Sequence, residues 1–486
     1  MVSRHWSALY FFLAFTALAL AIHLPYLKLP FFWDELGQFV PAALDLYRDG
    51  AWIPHSTAPN VHPPGLMALL ALVWSAAGFS ILVTRLTMLL LASAGAVFSF
   101  LLAIRLARGT AGAPAFAAVL FLIATPLFFT QSMMAQLDLP AMVFTVLALL
   151  LFLEGRWAAS AAACTAAVLM KETAISTPLV FALWLWFREG RRRQALYFLA
   201  PAVALGIWML LLWRATGHLL GDPVFTQYNL TGALDPVHIV LAIARRVYFL
   251  FVADGRWIGA IALFVGWRVL RGKEWAVAAW VALAQVAVVT LLGGAVLDRY
   301  LLPVLPILYA AMAVAASTYP PSWRWTTHAV MIAALFAGWF WDPPYLFPYE
   351  NNLAMVEFVK LQKQGADFLG AYARDRQVGT TWPLSEELTR PEMGYVEQPF
   401  SVAEAPGLEL TQLANLDRNK VNVLVVYSRS WPLESLPFAD TIRQILRRYF
   451  DYHPAATSEE IRAGLGYVPI VRFTRGSQWL EVYQRE

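Results

Sequence analysis

The chain has 486 residues, of which 59% are hydrophobic and only 14% charged, with a mean hydropathy of +0.56. A soluble globular protein carries roughly 25% charged residues, so the composition excludes a soluble enzyme, a disordered chain and a nucleic-acid binder built on a basic surface. The net charge of +4 is unevenly spread: residues 1–341 hold 21 basic and 13 acidic side chains, and residues 342–486 hold 15 and 19.

That split predicts an α-helical polytopic membrane region, 1–341, followed by a small soluble α/β domain, 342–486. The basic excess of the first part reports cytoplasmic loops rather than an anionic partner. The first apolar run, 7–24, follows Arg4 and leads into His23-Leu24-Pro25-Tyr26. No small-residue cleavage site follows it, so it reads as an uncleaved first span. Further runs at 81–107, 113–131, 138–153, 157–172, 174–188, 194–213, 256–270, 275–293, 300–317 and 325–341 bring the predicted spans to eleven. The stretch 157–188 also reads as one broken pair. Two shorter runs, 64–78 and 238–253, begin near Pro and His, and the second contains Arg245 and Arg246. Both are predicted to lie at the membrane surface; counting both as spans gives thirteen.

Positive charge decides between these counts. With the N-terminus inside, the inner connections carry Arg4, then Arg105 and Arg108, Arg156, Arg188 with Arg191, Arg192 and Arg193, Arg268 with Arg271 and Lys273, and Arg324. Every one is basic. Treating 64–78, or both ambiguous runs, as spans would put Arg191, Arg192 and Arg193 outside. Eleven spans send the tail outside, together with a long first outer loop, 25–80.

The single cysteine, Cys164, lies in an Ala-rich apolar stretch, where a lone thiol serves as packing. The lack of a cysteine framework fits a bacterial inner membrane. In the tail, 352–373 and 441–450 read as helices, and 377–381 as a short strand. The β-branched run Val421–Tyr427 reads as a buried strand, and 468–473 with 479–483 as a closing hairpin around Gly476. No Gly-rich phosphate loop appears, and no cofactor is expected.

The polar residues that interrupt the apolar runs carry the chemistry. Asp34 and Glu35 follow Phe31-Phe32-Trp33 at the outer end of the first span. They read either as a solvated loop start or as a general base beside a structural anchor, because adjacent side chains point apart. Asp138 ends a polar stretch that includes Gln136, and precedes Pro140 in a first helical turn. It serves either the helix N-terminus or a membrane-embedded site. Lys171-Glu172 sits inside an apolar run, as an internal ion pair, a snorkelling lysine or a site. Arg299 lies between Asp298 and Tyr300 at an outer span edge, suited either to a salt bridge with Asp298 or to bidentate phosphate contact. His62 precedes Pro63-Pro64. The eight histidines show no paired ligand spacing, so no metal is expected. Asp34, His62, Asp138, Lys171 and Arg299 all fall on one outer face of a topology fixed from other residues. A cleft of carboxylates and cations at the lipid–water boundary suits a lipid-linked anionic substrate.

The order of these features resembles the GT-C membrane glycosyltransferases, and within them the protein O-mannosyltransferase and lipid A aminoarabinose-transferase group. The resemblance covers roughly residues 5–320. It rests on span one, Asp34-Glu35, Tyr47-Arg48-Asp49-Gly50-Ala51-Trp52-Ile53-Pro54, His62-Pro63-Pro64, Arg85-Leu86, Leu137-Asp138-Leu139-Pro140, Lys171, and Arg299-Tyr300-Leu301-Leu302-Pro303. It implies a polyprenyl-phosphate sugar donor and inverting transfer to a lipid, glycan or protein hydroxyl on the extracytoplasmic face. Asp34 takes the position of the catalytic carboxylate, and Arg299 and His62 take positions near the donor phosphate. Asp138 joins Asp34 and Glu35 as a catalytic candidate, Lys171 joins the phosphate-binding set, and Gln136, Glu172 and Tyr300 are candidate substrate contacts. The aminoarabinose enzymes carry Asp-Glu-x-Arg and Glu-Lys-Pro-Pro where this chain has Asp34-Glu35-Leu36-Gly37 and Val61-His62-Pro63-Pro64. Two phosphate-facing cations are thus missing or reduced to histidine. A membrane transporter or lipid flippase is the alternative class, with the inverted repeats and broken midplane helices that such folds use. A scaffold would leave Asp34, Asp138 and Arg299 without a purpose.

Overall fold

The computed structural model describes residues 2–227, 234–341, 349–430, 433, 437–450 and 452–486. Contacts divide the chain into two compact units, Met1–Pro25 with Pro41–Trp341, and Tyr26–Val40 with Asp342–Glu486. The segment carrying Asp34 and Glu35 therefore packs with the C-terminal domain.

The first unit is helical. Among the described residues, five helices are long and apolar enough to cross a membrane: Ala8–Tyr26, Ile81–Leu106, Arg192–Thr216, Lys273–Leu292 and Asp298–Ala316. Two bent pairs raise this to seven, Pro114–Ala124 with Pro126–Met133 at 65° and Pro236–Phe251 with Ala253–Val269 at 44°. The run expected at the membrane surface near 238–253 is the first half of that second pair. Helices Gly65–Ala77, Asp138–Leu153 and Trp157–Met170 are apolar but shorter.

Local chemistry places the breaks. Thr125 is extended, in line with the bias away from helical geometry that the following Pro126 imposes. Lys171 is likewise extended, with φ −154° and ψ 127°, which ends helix Trp157–Met170. Ser80 caps helix Ile81–Leu106 by accepting from the Val83 amide at 3.1 Å. Asp235 caps the next bent pair through the Val237 and His238 amides, with Pro236 in the first turn.

The core of this unit is helix Asp298–Ala316, 94% of whose apolar window is buried, against 6% for Ala8–Tyr26. One helix therefore runs through the centre and the other presents its sides outward. Small residues let backbones approach, as in other membrane helix pairs. A Cβ on Gly266 would sit 2.4 Å from the Ala315 carbonyl oxygen. One on Gly65, just after His62-Pro63-Pro64, would sit 2.4 Å from that of Leu169, two residues before Lys171. Cys164 is free and buried.

The second unit is an α/β domain around a five-stranded sheet. Its strands are β1 (Gln377–Thr380), β2 (Val402–Glu404), β3 (Val421–Tyr427), β4 (Tyr467–Arg475) and β5 (Gln478–Arg485), in the order β2-β1-β3-β5-β4. β1 pairs in parallel with β2 and β3, whereas β5 is antiparallel to β3 and β4. Every residue of β3 except Asn422 is buried, in keeping with a central strand. The expected hairpin is the pair β4–β5. β2 has no counterpart in the sequence reading, since three residues without apolar alternation give no periodic signal. Helix Ala354–Tyr372 covers the sheet, with Gly365 tight against Leu480 of β5.

Candidate active site

In the helical unit, three separate stretches converge on one carboxylate. Helix Pro126–Met133 ends at the extended Met134, and a turn closed by the Gln136 amide on the Met134 carbonyl (2.8 Å) delivers Gln136 and Asp138. Arg85, itself buried, steadies that turn by donating to the Met133 carbonyl at 2.7 Å. The break after Met170 delivers Lys171, and the 3₁₀ turn Asp298–Val304 delivers Arg299 and Tyr300.

Lys171 Nζ lies 2.5 Å from Asp138 Oδ1, and Arg299 Nε lies 3.1 Å from Asp138 Oδ2. Arg299 Nη1 donates to Gln136 Oε1 at 2.5 Å. The Lys171 ammonium also sits 3.8 Å from the centre of the Tyr300 ring, a cation–π contact. All of the charged members are buried, and buried charges persist only when paired. Beside this cluster, His62 Nδ1 lies 2.7 Å from Glu172 Oε2.

His62, Lys171, Glu172 and Tyr300 line a cavity of about 200 Å³ whose remaining wall includes Leu205, Met209, Val288, Val289 and Leu292. Asp138 and Arg299 stand behind Lys171 and Tyr300 and are not part of the lining. One cation, one carboxylate and a histidine thus line an apolar chamber, with Asp138 and Arg299 paired behind Lys171. The arrangement suits a ligand with an anionic head and an alkyl body.

Sequence reasoning missed the supports of this cluster. Asp298 pairs with Arg245, 53 positions away in sequence, through both guanidinium and carboxylate forks. Arg246, fully buried, donates to Thr290 Oγ1 and to the Val289 carbonyl. Trp208 Nε1 donates to the Val61 carbonyl at 2.9 Å, and the Asp222 amide to that of Pro59 at 2.8 Å, which together hold the loop bearing His62. These partners lie tens of residues away in sequence, and no local pattern announces them.

Among the described residues, Asp45, Asp49 and His55 form a group with metal-ligand proximity. Asp45 Oδ2 there accepts from the His55 and Ser56 amides at 2.8 and 2.9 Å, so the group anchors its loop.

In the second unit, the two adjacent carboxylates differ. Glu35 is fully buried and its Oε2 accepts from the Phe32 amide at 3.0 Å. Asp34 is half-buried and opens the π-helical turn Glu35–Phe39. Trp33, just before it, holds φ +51°, a left-handed conformation rare outside glycine.

The sequence matches no family model and no curated protein. Solved structures do match. ArnT from Cupriavidus metallidurans bound to undecaprenyl phosphate is 16% identical, with a TM-score of 0.55 and 97% of each chain covered. Its apo state is 16% identical with a TM-score of 0.54, covering 99% of this chain and 98% of that one. At this identity the likeness is one of fold: the chain shares the fold of these ArnT structures, an apolar helical unit with a small C-terminal sheet domain.

Proposed function

We propose that this protein is an inverting glycosyltransferase that moves a sugar from a polyprenyl phosphate to a hydroxyl acceptor on the extracytoplasmic face of the membrane. The observation that carries the reading is the cavity in which His62, Lys171 and Tyr300 meet an apolar wall. A phosphate attached to a polyprenyl chain has that same division of charge and hydrocarbon. The bound undecaprenyl phosphate of the ArnT structure with the same fold supports it.

In this reading Asp34 accepts the proton of the acceptor hydroxyl. The freed oxygen attacks the anomeric carbon from the side opposite the phosphate, and the carbon–oxygen bond to phosphate breaks with its electron pair left on the phosphate. The configuration inverts, and the leaving anion needs no proton. Lys171, with His62 and Arg299, stabilises the charge that grows on it, which in a site of low dielectric is commonly the largest catalytic term. Base catalysis adds about 10²–10⁴-fold. Asp138 holds both cations and Gln136 orients Arg299. Tyr300 and Glu172 shape the ground on which the donor head rests. The topology that accompanies this reading is the eleven-span one, with the N-terminus cytoplasmic and 342–486 outside. The ArnT-like fold lends no support to the transporter or flippase alternative.

The test is transfer of radiolabelled sugar from a set of polyprenyl-phosphate donors into a membrane extract, with wild type and Asp34→Asn side by side. Label that moves only with wild type supports the reading, and the labelled product identifies the acceptor. Equal transfer by the two proteins overturns the role of Asp34. Failure of folded wild type with every donor overturns the reaction class.

A further inference from the structure

The residues around Asp34 are gripped from one side of the fold. Phe31, three positions before it, has both backbone polar groups engaged by one distant stretch. Its amide donates to the Met393 carbonyl at 3.1 Å, and its carbonyl accepts from the Tyr395 hydroxyl at 3.0 Å. Trp33, held at φ +51°, meets Trp382 edge-on with ring centres 4.7 Å apart and Phe358 at 6.2 Å. The Arg429 guanidinium lies 5.7 Å from the Trp33 ring and 5.9 Å from that of Trp382. On the other side, the Gly37 amide closes on the Trp33 carbonyl at 2.9 Å. A Cβ there would sit 3.2 Å from the Trp382 ring nitrogen, so a side chain at this position would press on the indole.

A left-handed tryptophan is stable only where its surroundings over-determine it. Here the determinants are Trp382, Phe358 and Arg429 on the flank and the Phe31 clamp upstream. Trp382, Phe358, Arg429 and the groups that hold Phe31 all come from the second half of the chain; Tyr395 and Phe31 are 364 positions apart. The backbone between the two grips carries one carboxylate that is not buried, Asp34.

We propose that Trp382 and Tyr395 of the C-terminal domain are positioning residues for Asp34, so that the domain is the template that sets the direction of the catalytic carboxylate. This rests on the reading of Asp34 as the base. The Tyr395 hydroxyl fixes where the segment starts, and the Trp382 face fixes the turn at Trp33. Geometry is the lever: a displacement of about 1 Å at a reacting group costs on the order of 10²-fold in rate.

The experiment measures sugar transfer by the full chain, using the donor that supports wild-type turnover. Tyr395→Phe removes one hydroxyl and keeps the ring. Trp382→Ala removes the flank, and Trp382→Phe restores part of it. The expected result is a fall in kcat of about tenfold or more for Tyr395→Phe and Trp382→Ala, an unchanged KM for the donor, and partial rescue in Trp382→Phe. The same substitutions placed on Asp34→Asn are expected to cause no further loss, because they act through that carboxylate. Equal losses in both backgrounds, or wild-type kcat in Tyr395→Phe and Trp382→Ala while Asp34→Asn alone is inactive, would overturn the positioning role and leave the base intact. Wild-type turnover in Asp34→Asn removes the base reading itself. Faster hydrogen exchange across 26–40 in Trp382→Ala, with the rest of the domain unchanged, is the expected accompaniment. Unchanged exchange there would count against the clamp.

Discussion

Lys171 Nζ lies 2.5 Å from Asp138 Oδ1, with the two side chains only 6% and 4% exposed. The pair joins the start of one apolar helix to the end of another, and Arg299 shares the same carboxylate. Removing one partner of a buried pair leaves an uncompensated charge and costs about 3–5 kcal/mol. Asp138→Ala, which orphans both Lys171 and Arg299, is expected to destabilise more than Lys171→Ala. The double variant Asp138→Leu/Lys171→Met is expected to recover part of the loss, since no orphaned charge remains on Lys171. Thermal unfolding in detergent measures this, and a strictly additive double variant would contradict it.

Asp34 and Glu35 are expected to respond in opposite ways. Asp34→Asn keeps the fold and loses about 10²–10⁴-fold in transfer rate. Glu35→Ala strands the buried Phe32 amide, which costs about 1–3 kcal/mol of stability. Glu35→Gln still offers an acceptor oxygen and is expected to stay close to wild type in melting temperature. Transfer assays and melting curves on the three variants decide the matter.

Arg299→Lys conserves the charge but not the fork that spans Gln136 and Asp138. A charge-assisted hydrogen bond contributes about 1.5–3 kcal/mol, so the donor KM is expected to rise by roughly ten- to a hundredfold. An unchanged donor KM would remove Arg299 from the phosphate-binding set. The same substitution at Arg245, whose carboxylate partner is Asp298, is expected to act on stability first.

Glu387, in the short helix Leu384–Thr389 of the C-terminal domain, is fully buried. Burial pushes its carboxyl well above the usual carboxylate range, opposed only in part by Tyr395. A folded-state value above the unfolded one means that the unfolded chain gives up the proton first. Stability is therefore greatest below the ordinary glutamate range, near pH 4.5, and declines as the pH rises above it. Glu387→Gln, which has no proton to lose, is expected to melt at a higher temperature than wild type at pH 8 and to converge with it near pH 4.5. Parallel melting curves at the two pH values would show a constant offset if the carboxyl were not the cause.

Much of the fold is legible in one dimension. A helix that meets lipid must be apolar over its length, so runs such as 81–107 announce themselves. A strand buried on both faces must be β-branched and apolar, so Val421–Tyr427 does too. The polar residues singled out for chemistry were visible because they interrupt such runs: Lys171, Asp138 and Arg299 each stand in an apolar neighbourhood. Shorter elements escaped. β2 has three residues and no alternation, and the bend at Thr125 divides what reads as one span, 113–131.

Composition, periodicity and charge placement, all additive along the chain, are enough to predict several apolar helices followed by a small C-terminal sheet domain. Partner choice is not additive. Asp138 takes Lys171 and Arg299, and Asp298 takes Arg245, because a buried charge is satisfied by whatever opposite charge the packed helices bring within reach. The same holds for Asp34, whose segment packs with strands and loops more than 300 residues downstream. Two adjacent carboxylates are equivalent in sequence. Only the tertiary structure makes Glu35 a buried acceptor for the Phe32 amide and leaves Asp34 half-buried, since neighbouring side chains leave the backbone in different directions and meet different surroundings.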